Sequence, residues 1–295
     1  MEKRKFIWFF IIISVLLLIS AACQQFEDKG YEMGAILEEI RNLDSDDSEM
    51  ALIQKGKEIF DETNTVLPEN VGNNLSCINC HGEGGLGPDS PMVGVTLLYP
   101  KMHHEKWTTI EDRINGCFVR SMNGEQIDED GEEMKAMVAY FEFLSKDLES
   151  KDDITWRMDN NKDKVPVPNV VAGGELYSQK GCIACHGEDG SGTSAKGGPP
   201  LWGEGSFNDA AGMARLNKAT AFIQNNMPKG KEGTLTDQQA ADLAAFILTQ
   251  KRPVADREKV GDYNLDPDLD YITKDRREKI RKGEFDWTEL DVVEE

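Results

Sequence analysis

The chain has 295 residues, of which 39% are hydrophobic and 29% charged, and carries a formal net charge of -21. That balance excludes nucleic acid as a partner, because phosphate contacts demand basic surface. It also means that a small anionic substrate would need a local basic pocket to overcome a repulsive overall field.

The N-terminus opens with Lys3, Arg4 and Lys5, continues in an apolar run over 6–19, and reaches Ser20-Ala21-Ala22-Cys23. This reads as a secretory signal over 1–22. Cys23, straight after small residues, makes it resemble a bacterial lipoprotein signal in which that cysteine becomes the lipidated N-terminus, with Ser20 where leucine is usual. The alternative is an uncleaved anchor helix, although the 17 residues of 6–22 stand at the lower edge of what spans a bilayer. Both readings place the body outside the cytoplasmic membrane: periplasmic or extracytoplasmic, and held to the membrane by a lipid anchor in the first. Residues 23–47 form an acidic tether.

A short helical pattern over 54–60 leads into Cys77-Ile78-Asn79-Cys80-His81, and a second over 172–177 leads into Cys182-Ile183-Ala184-Cys185-His186. Cys-x-x-Cys-His is the attachment signature of c-type haem. Its two thiols form thioethers and its histidine supplies the proximal nitrogen to iron. Zinc needs four good ligands per site, and beyond the motifs only His103 and His104 remain, too few to complete two sites. A dithiol redox pair would not require a histidine after both motifs. Two c-type haems, each with its iron, follow as cofactors.

Each motif is followed by a stronger helix with apolar residues three and four apart. The first covers 132–148, and the second covers 236–250, opened by Thr236-Asp237 and stopped before Pro253. No stretch shows sustained period-two alternation. The expected fold is all-α, two class I cytochrome c-like domains over 48–148 and 169–254, each wrapped on one haem that replaces core a small domain would lack. Between them 149–168 reads as a polar linker with prolines at 166 and 168. Residues 255–295 read as a charged tail, whose basic run 275–282 is expected to be a solvated helix.

Six cysteines less four in the motifs leave Cys23 and Cys117. A haem that only carries electrons needs a sixth ligand, often methionine. Met227 lies 41 residues after His186, in a loop before the last helix, where small monohaem cytochromes place theirs; Met213 is the competitor. Met122 lies the same 41 residues after His81, so repeat logic favours it at the first haem. Against it stands Cys117, a lone thiol with no evident disulfide partner in an oxidising compartment, which iron and a nearby arginine would both favour as thiolate. Spacing alone leaves Cys117 and Met122 open.

Arg113-Ile-x-x-Cys117-x-x-Arg120-Ser121-x-Asn123-Gly124 resembles the signature of the dihaem thiosulfate dehydrogenases, which form tetrathionate and in some members reduce it. Pro199-Pro200-Leu201-Trp202-Gly203, Ser206-Phe207-Asn208 and Ala211-Gly212-Met213 agree with it, so the similarity covers about 52–253. The resemblance implies a catalytic first haem with Cys117 as distal ligand and reactive sulfur, Arg113 and Ser121 lining an anion site, and a second haem that relays electrons through Met227. Arg120, Lys101, His103 and His104 are candidates for further positive charge. Some members carry lysine immediately before the second-domain methionine, where this chain has Asn226. The implied reaction joins two thiosulfates into tetrathionate, or the reverse, with a cytochrome or other redox protein as electron partner. The rival readings are a dihaem electron-transfer cytochrome without substrate chemistry, and a sulfur-carrier-linked cytochrome joining thiosulfate to a partner protein's cysteine.

Overall fold

The computed structural model describes residues 39, 48–88, 90–103, 106–150, 160, 162–193, 197–261, 270–290 and 292–293. The signal segment, Cys23 and all of the tether except residue 39 lie outside them, and no helix among the described residues is long and apolar enough to cross a membrane. The chain divides into a unit of residues 1–51 and a unit of residues 52–295, and both haem motifs fall in the second.

The first half runs through helices α1 (Ser48–Asp61) and α2 (Thr63–Val66) to its motif on a 3-10 turn, Cys77–Asn79. A two-stranded antiparallel hairpin follows, β1 (Lys101–His103) with β2 (Lys106–Thr108). Helices α3 (Ile110–Arg120) and α4 (Glu132–Ser145) complete it. The second half starts with β3 (Val165–Pro166) and α5 (Val170–Gln179). Its motif forms the short α6 (Ile183–His186), followed by α7 (Leu216–Asn226) and α8 (Asp237–Thr249). The expected helical fold holds, with two small sheets added to it.

Both halves are closed by the same crossing of a leading and a trailing helix, and glycine makes each crossing possible. A β-carbon on Gly56 of α1 would stand 2.0 Å from the Ala136 carbonyl oxygen and 2.8 Å from Tyr140 Cβ of α4. One on Gly173 of α5 would stand 2.0 Å from the Asp242 carbonyl oxygen and 2.8 Å from Phe246 Cβ of α8. Only hydrogen in the side-chain position lets the backbones approach this closely. Four residues after each glycine an aromatic ring meets the same partner: Phe60 lies 5.8 Å from Tyr140, and Tyr177 lies 5.5 Å from Phe246, between ring centroids. Rings at these separations add about 0.5–1.5 kcal/mol to the burial of their apolar area.

The C-terminal stretch departs from expectation. Helices α9 (Arg257–Val260) and α10 (Lys274–Lys282) are charged, and α10 is solvated along most of its length but buries Arg277. Tyr271, Ile272, Phe285 and Leu290 are buried in the second domain's core, and Val292 of β4 (Val292–Val293) pairs in parallel with Val165 of β3. Asp209 is the anchor. Fully buried, its carboxylate accepts from the main-chain nitrogens of Ala255 at 2.9 Å and Lys274 at 3.0 Å, and faces Arg277 at 3.6 Å. A buried carboxylate so bonded ties the stretch down, because removing any partner strands a charge. A charge-rich sequence masked that role, since Arg277 is buried in spite of its polarity. Val165, inside the stretch read as linker, is likewise core.

Candidate functional site

Helix α3 presents the first site. Its start is fixed by a capping box, in which Thr109 Oγ1 accepts from Asp112 N at 3.1 Å and the Asp112 carboxylate accepts from Thr109 N at 2.9 Å. Arg113, Cys117 and Ser121 recur every four residues and so share one side of the helix. Arg113 Nη1 donates to Cys117 Sγ at 2.9 Å. The Cys117 sulfur, ahead of the opposing effect of burial, raises the Arg113 guanidinium further, so the pair holds a positive charge beside a sulfur. Burial pushes the Cys77 thiol up to about 12 against a hydrogen bond from Thr63, and Cys117 and Cys80 each add to the rise, so both lie near Cys77.

Tyr99 is the member of this cluster that sequence reading missed. Burial raises its phenol and Cys117 adds to the rise, while Arg113 and, more weakly, Arg120 pull it down. Lys101 stands with its ammonium 5.0 Å from the Tyr99 ring centroid, and its proton affinity is lowered by desolvation and by Arg113. Arg120 Nε turns back to its own helix, donating to the Gly116 carbonyl at 2.9 Å. His104 and the side chain of His103 lie outside the described residues. Met122 is buried just past the helix, its N–H on the Cys117 carbonyl at 3.0 Å and its carbonyl accepting from Gly72 at 2.9 Å.

The end of α3 is capped by the other domain. The last carbonyls of a helix have no intrahelical donor. Here Asn208 Nδ2 donates to the Val119 carbonyl at 2.9 Å and Asn208 N to the Arg120 carbonyl at 3.4 Å. Asn73 Nδ2 donates to the Ser121 carbonyl at 2.9 Å and to the Ser206 carbonyl at 3.0 Å. Asn74 N reaches the Gly205 carbonyl at 3.0 Å. The Ser206-Phe207-Asn208 block is thus the seam between domains.

Both motifs fit a covalently bound haem. None of their four cysteines is in a disulfide, so all four are available for thioether bonds. His81 Nδ1 lies 2.7 Å from the Ser90 carbonyl and His186 Nδ1 lies 2.8 Å from the Pro199 carbonyl. A carbonyl can only accept, so each Nδ1 carries the proton and each Nε2 keeps its lone pair for iron. Burial lowers the proton affinity of His186, which also favours the neutral ligand form. A β-carbon on Gly198 would strike the Cys185 carbonyl oxygen at 2.0 Å, so the segment leading to Pro199 is laid directly on the motif. Met227 directly follows α7 and, like Cys182, Leu201 and Met213, packs against this domain's core. The preceding Asn226 is buried and held by its amide, which donates to the Phe222 carbonyl at 2.9 Å.

Two helical domains, each closing on a Cys-x-x-Cys-His turn with an oriented histidine, define a dihaem c-type cytochrome. Residues 170–251 match the cytochrome c family and residues 56–149 match the SoxA/TsdA cytochrome c domain. The thiosulfate dehydrogenase of Allochromatium vinosum is 38% identical over 237 residues, 71% of this chain and 81% of that one. That of Psychrobacter arcticus is 38% identical over 216 residues, 71% of this chain and 66% of its own. The as-isolated form of thiosulfate dehydrogenase TsdBA from Marichromatium purpuratum superposes with a TM-score of 0.64 at 32% identity, covering 70% of this chain and 47% of that one. The chain belongs to the thiosulfate dehydrogenase family and carries two covalently bound c-type haems.

Proposed function

We propose that this chain interconverts thiosulfate and tetrathionate, with Cys117 as distal ligand of the first haem and as the reactive sulfur, and with Met227 as distal ligand of a relaying second haem. The observation that carries it is the 2.9 Å contact from Arg113 Nη1 to Cys117 Sγ. The contact sets a fixed positive charge directly beside the sulfur, where anions and a nucleophile have to meet. The same planar guanidinium has further N–H groups for sulfonate oxygens. Ser121, four residues on, offers a hydroxyl on the same side of the helix. Lys101 adds charge at the edge, on a chain whose net charge of -21 would otherwise repel the substrate.

When bound, the haems accept or return the electrons. In the oxidative direction the Cys117 thiolate and the outer sulfur of one thiosulfate form an S–S bond, releasing two electrons and leaving a cysteine-bound thiosulfonate. The outer sulfur of a second thiosulfate then attacks the sulfur attached to Cys117. Tetrathionate departs and the Cys117 thiolate is restored as leaving group. Arg113 neutralises the oxyanions that must meet at this point, a large term when two dianions converge. The reductive direction runs these bond changes backwards.

Electrons pass to or from a cytochrome or other redox protein. The leader and Cys23 support a lipoprotein held at the outer side of the cytoplasmic membrane or beyond it. Cys117→Ala tests the reading. Both haems should remain attached, while thiosulfate oxidation and tetrathionate reduction fall by several orders of magnitude. Arg113→Ala should weaken anion binding by about 1.5–3 kcal/mol, as expected for a charge-assisted hydrogen bond. Near-normal turnover in Cys117→Ala would hand the case to a relay cytochrome.

A further inference from the structure

Arg252, three residues beyond α8, is 5% exposed. Its Nη2 donates to the Ile247 carbonyl at 2.7 Å and reaches the Leu201 carbonyl at 3.4 Å, and its guanidinium lies 4.3 Å from the Phe207 ring centroid. Nε and Nη1 are buried with no hydrogen-bond partner among the described residues. An unanswered buried donor is costly, more so on a charged group, so the protein alone leaves this side chain incomplete.

The charges around it sharpen the point. Burial pushes Arg252 down to about 9, Arg277 and Arg281 of α10 push the same way, and Asp209 opposes them. Asp209 is already engaged by Ala255 N, Lys274 N and Arg277, with Arg257 at 3.8 Å. Arg252, Arg257 and Arg277 therefore share one carboxylate, and an anion would answer both the open nitrogens and the excess positive charge.

Its location follows from the chain. Leu201 and Phe207 belong to the segment that leaves Pro199, whose carbonyl orients His186 at 2.8 Å. Leu201 stands two residues on, within about 7 Å of Pro199 by backbone reach. The two open nitrogens therefore belong to a side chain held on the segment that orients His186, where a bound haem would bring two carboxylates of its own.

We propose that Arg252, through Nε and Nη1, binds a propionate of the second haem and serves as its buried counter-charge. The pair keeps that propionate ionised from mildly acidic to neutral pH. It also sets the potential of this haem: loss of the guanidinium leaves negative charge beside the iron and favours the oxidised form.

Spectroelectrochemical titration of the haem-loaded protein against pH tests this, in wild type, Arg252→Leu and Arg252→Lys. Two attached haems by mass should be retained. In Arg252→Leu one of the two redox components should fall in potential and become pH-dependent as the released propionate titrates, with the other unmoved. Arg252→Lys should restore most of both properties. An Arg252→Leu protein with two haems and unchanged potentials and slopes overturns the proposal. A wild-type potential that responds to added phosphate, with the response lost in Arg252→Leu, overturns it in favour of a soluble anion. Should the leucine variant fail to mature, resonance Raman of the wild type decides. The propionate bending bands of a paired carboxylate do not titrate over this pH range, and bands that all titrate there refute the pairing.

Discussion

Asn208→Ala removes the residue by which the second domain caps the helix that carries Cys117. Asn208 is buried, donates to the Val119 carbonyl at 2.9 Å and to Asn123 Oδ1 at 3.1 Å, and accepts from Ala210 N at 3.0 Å. Three such bonds at about 1 kcal/mol each, with the Val119 carbonyl left buried and unanswered, give a loss of about 3–4 kcal/mol. For a folded unit of this size one kcal/mol moves Tm by about 2–4 °C, so Tm should fall by roughly 6–16 °C. The assay is thermal unfolding of the haem-loaded protein by far-ultraviolet circular dichroism. Asn208→Asp, which keeps the shape but sets a carboxylate against a carbonyl, should lose at least as much. A fall of less than about 2 °C in Asn208→Ala, with both haems attached, would refute the capping role, being smaller than the loss of one ordinary hydrogen bond.

Met227→Gly should abolish the weak near-infrared charge-transfer band of a methionine-ligated haem, and its survival would move the ligand to Met213 or Met122. Burial raises the phenols of Tyr140 and Tyr177, which donate to the Gly84 carbonyl at 2.7 Å and the Gly187 carbonyl at 2.8 Å. The unfolded chain releases these protons from about pH 10 while the folded chain keeps them, so stability is full below that pH and falls above it by about 1.4 kcal/mol per pH unit per tyrosine. Tyr140→Phe and Tyr177→Phe should each flatten this alkaline limb in denaturant titrations run from neutral to high pH. Cys23→Ser should release the protein from the membrane fraction or block its maturation, and a mature N-terminus elsewhere would refute lipidation.

The parts of this molecule that obey a short-range rule were legible. Two motifs announce two haems, and the trailing helices show as apolar periodicity with Thr236 at the start of the second, where its hydroxyl accepts from Gln239 N at 3.2 Å. Helix α3 shows locally only in Thr109-x-x-Asp112, since its apolar side is broken by Asn115 and Gly116, both buried. Gly56 and Gly173 carry no local signal, because their meaning lies in a partner helix some 70–80 residues away. Tyr99 is silent for the same reason: only the fold brings it to Arg113. Within the exposed basic run of 275–282 the burial of Arg277 has no local signal, because it is decided by Asp209, a residue far upstream.

The seam between the two domains is built from neutral amides and main-chain groups, with Asn73, Asn74 and Asn208 at its centre. The ion pair from Lys259 to Glu125 that also joins the two ends of this unit is exposed on both sides, and such pairs contribute little. Ionic strength therefore acts on two events very differently. Added salt shortens the reach of charge to about 8 Å at physiological concentration, which should weaken docking between a chain of net charge -21 and the redox partner proposed above, wherever that partner is basic. It leaves the contact between the two haem domains almost untouched. A salt series is thus a tool for this protein, separating the rate at which electrons cross within the chain from the rate at which they leave it.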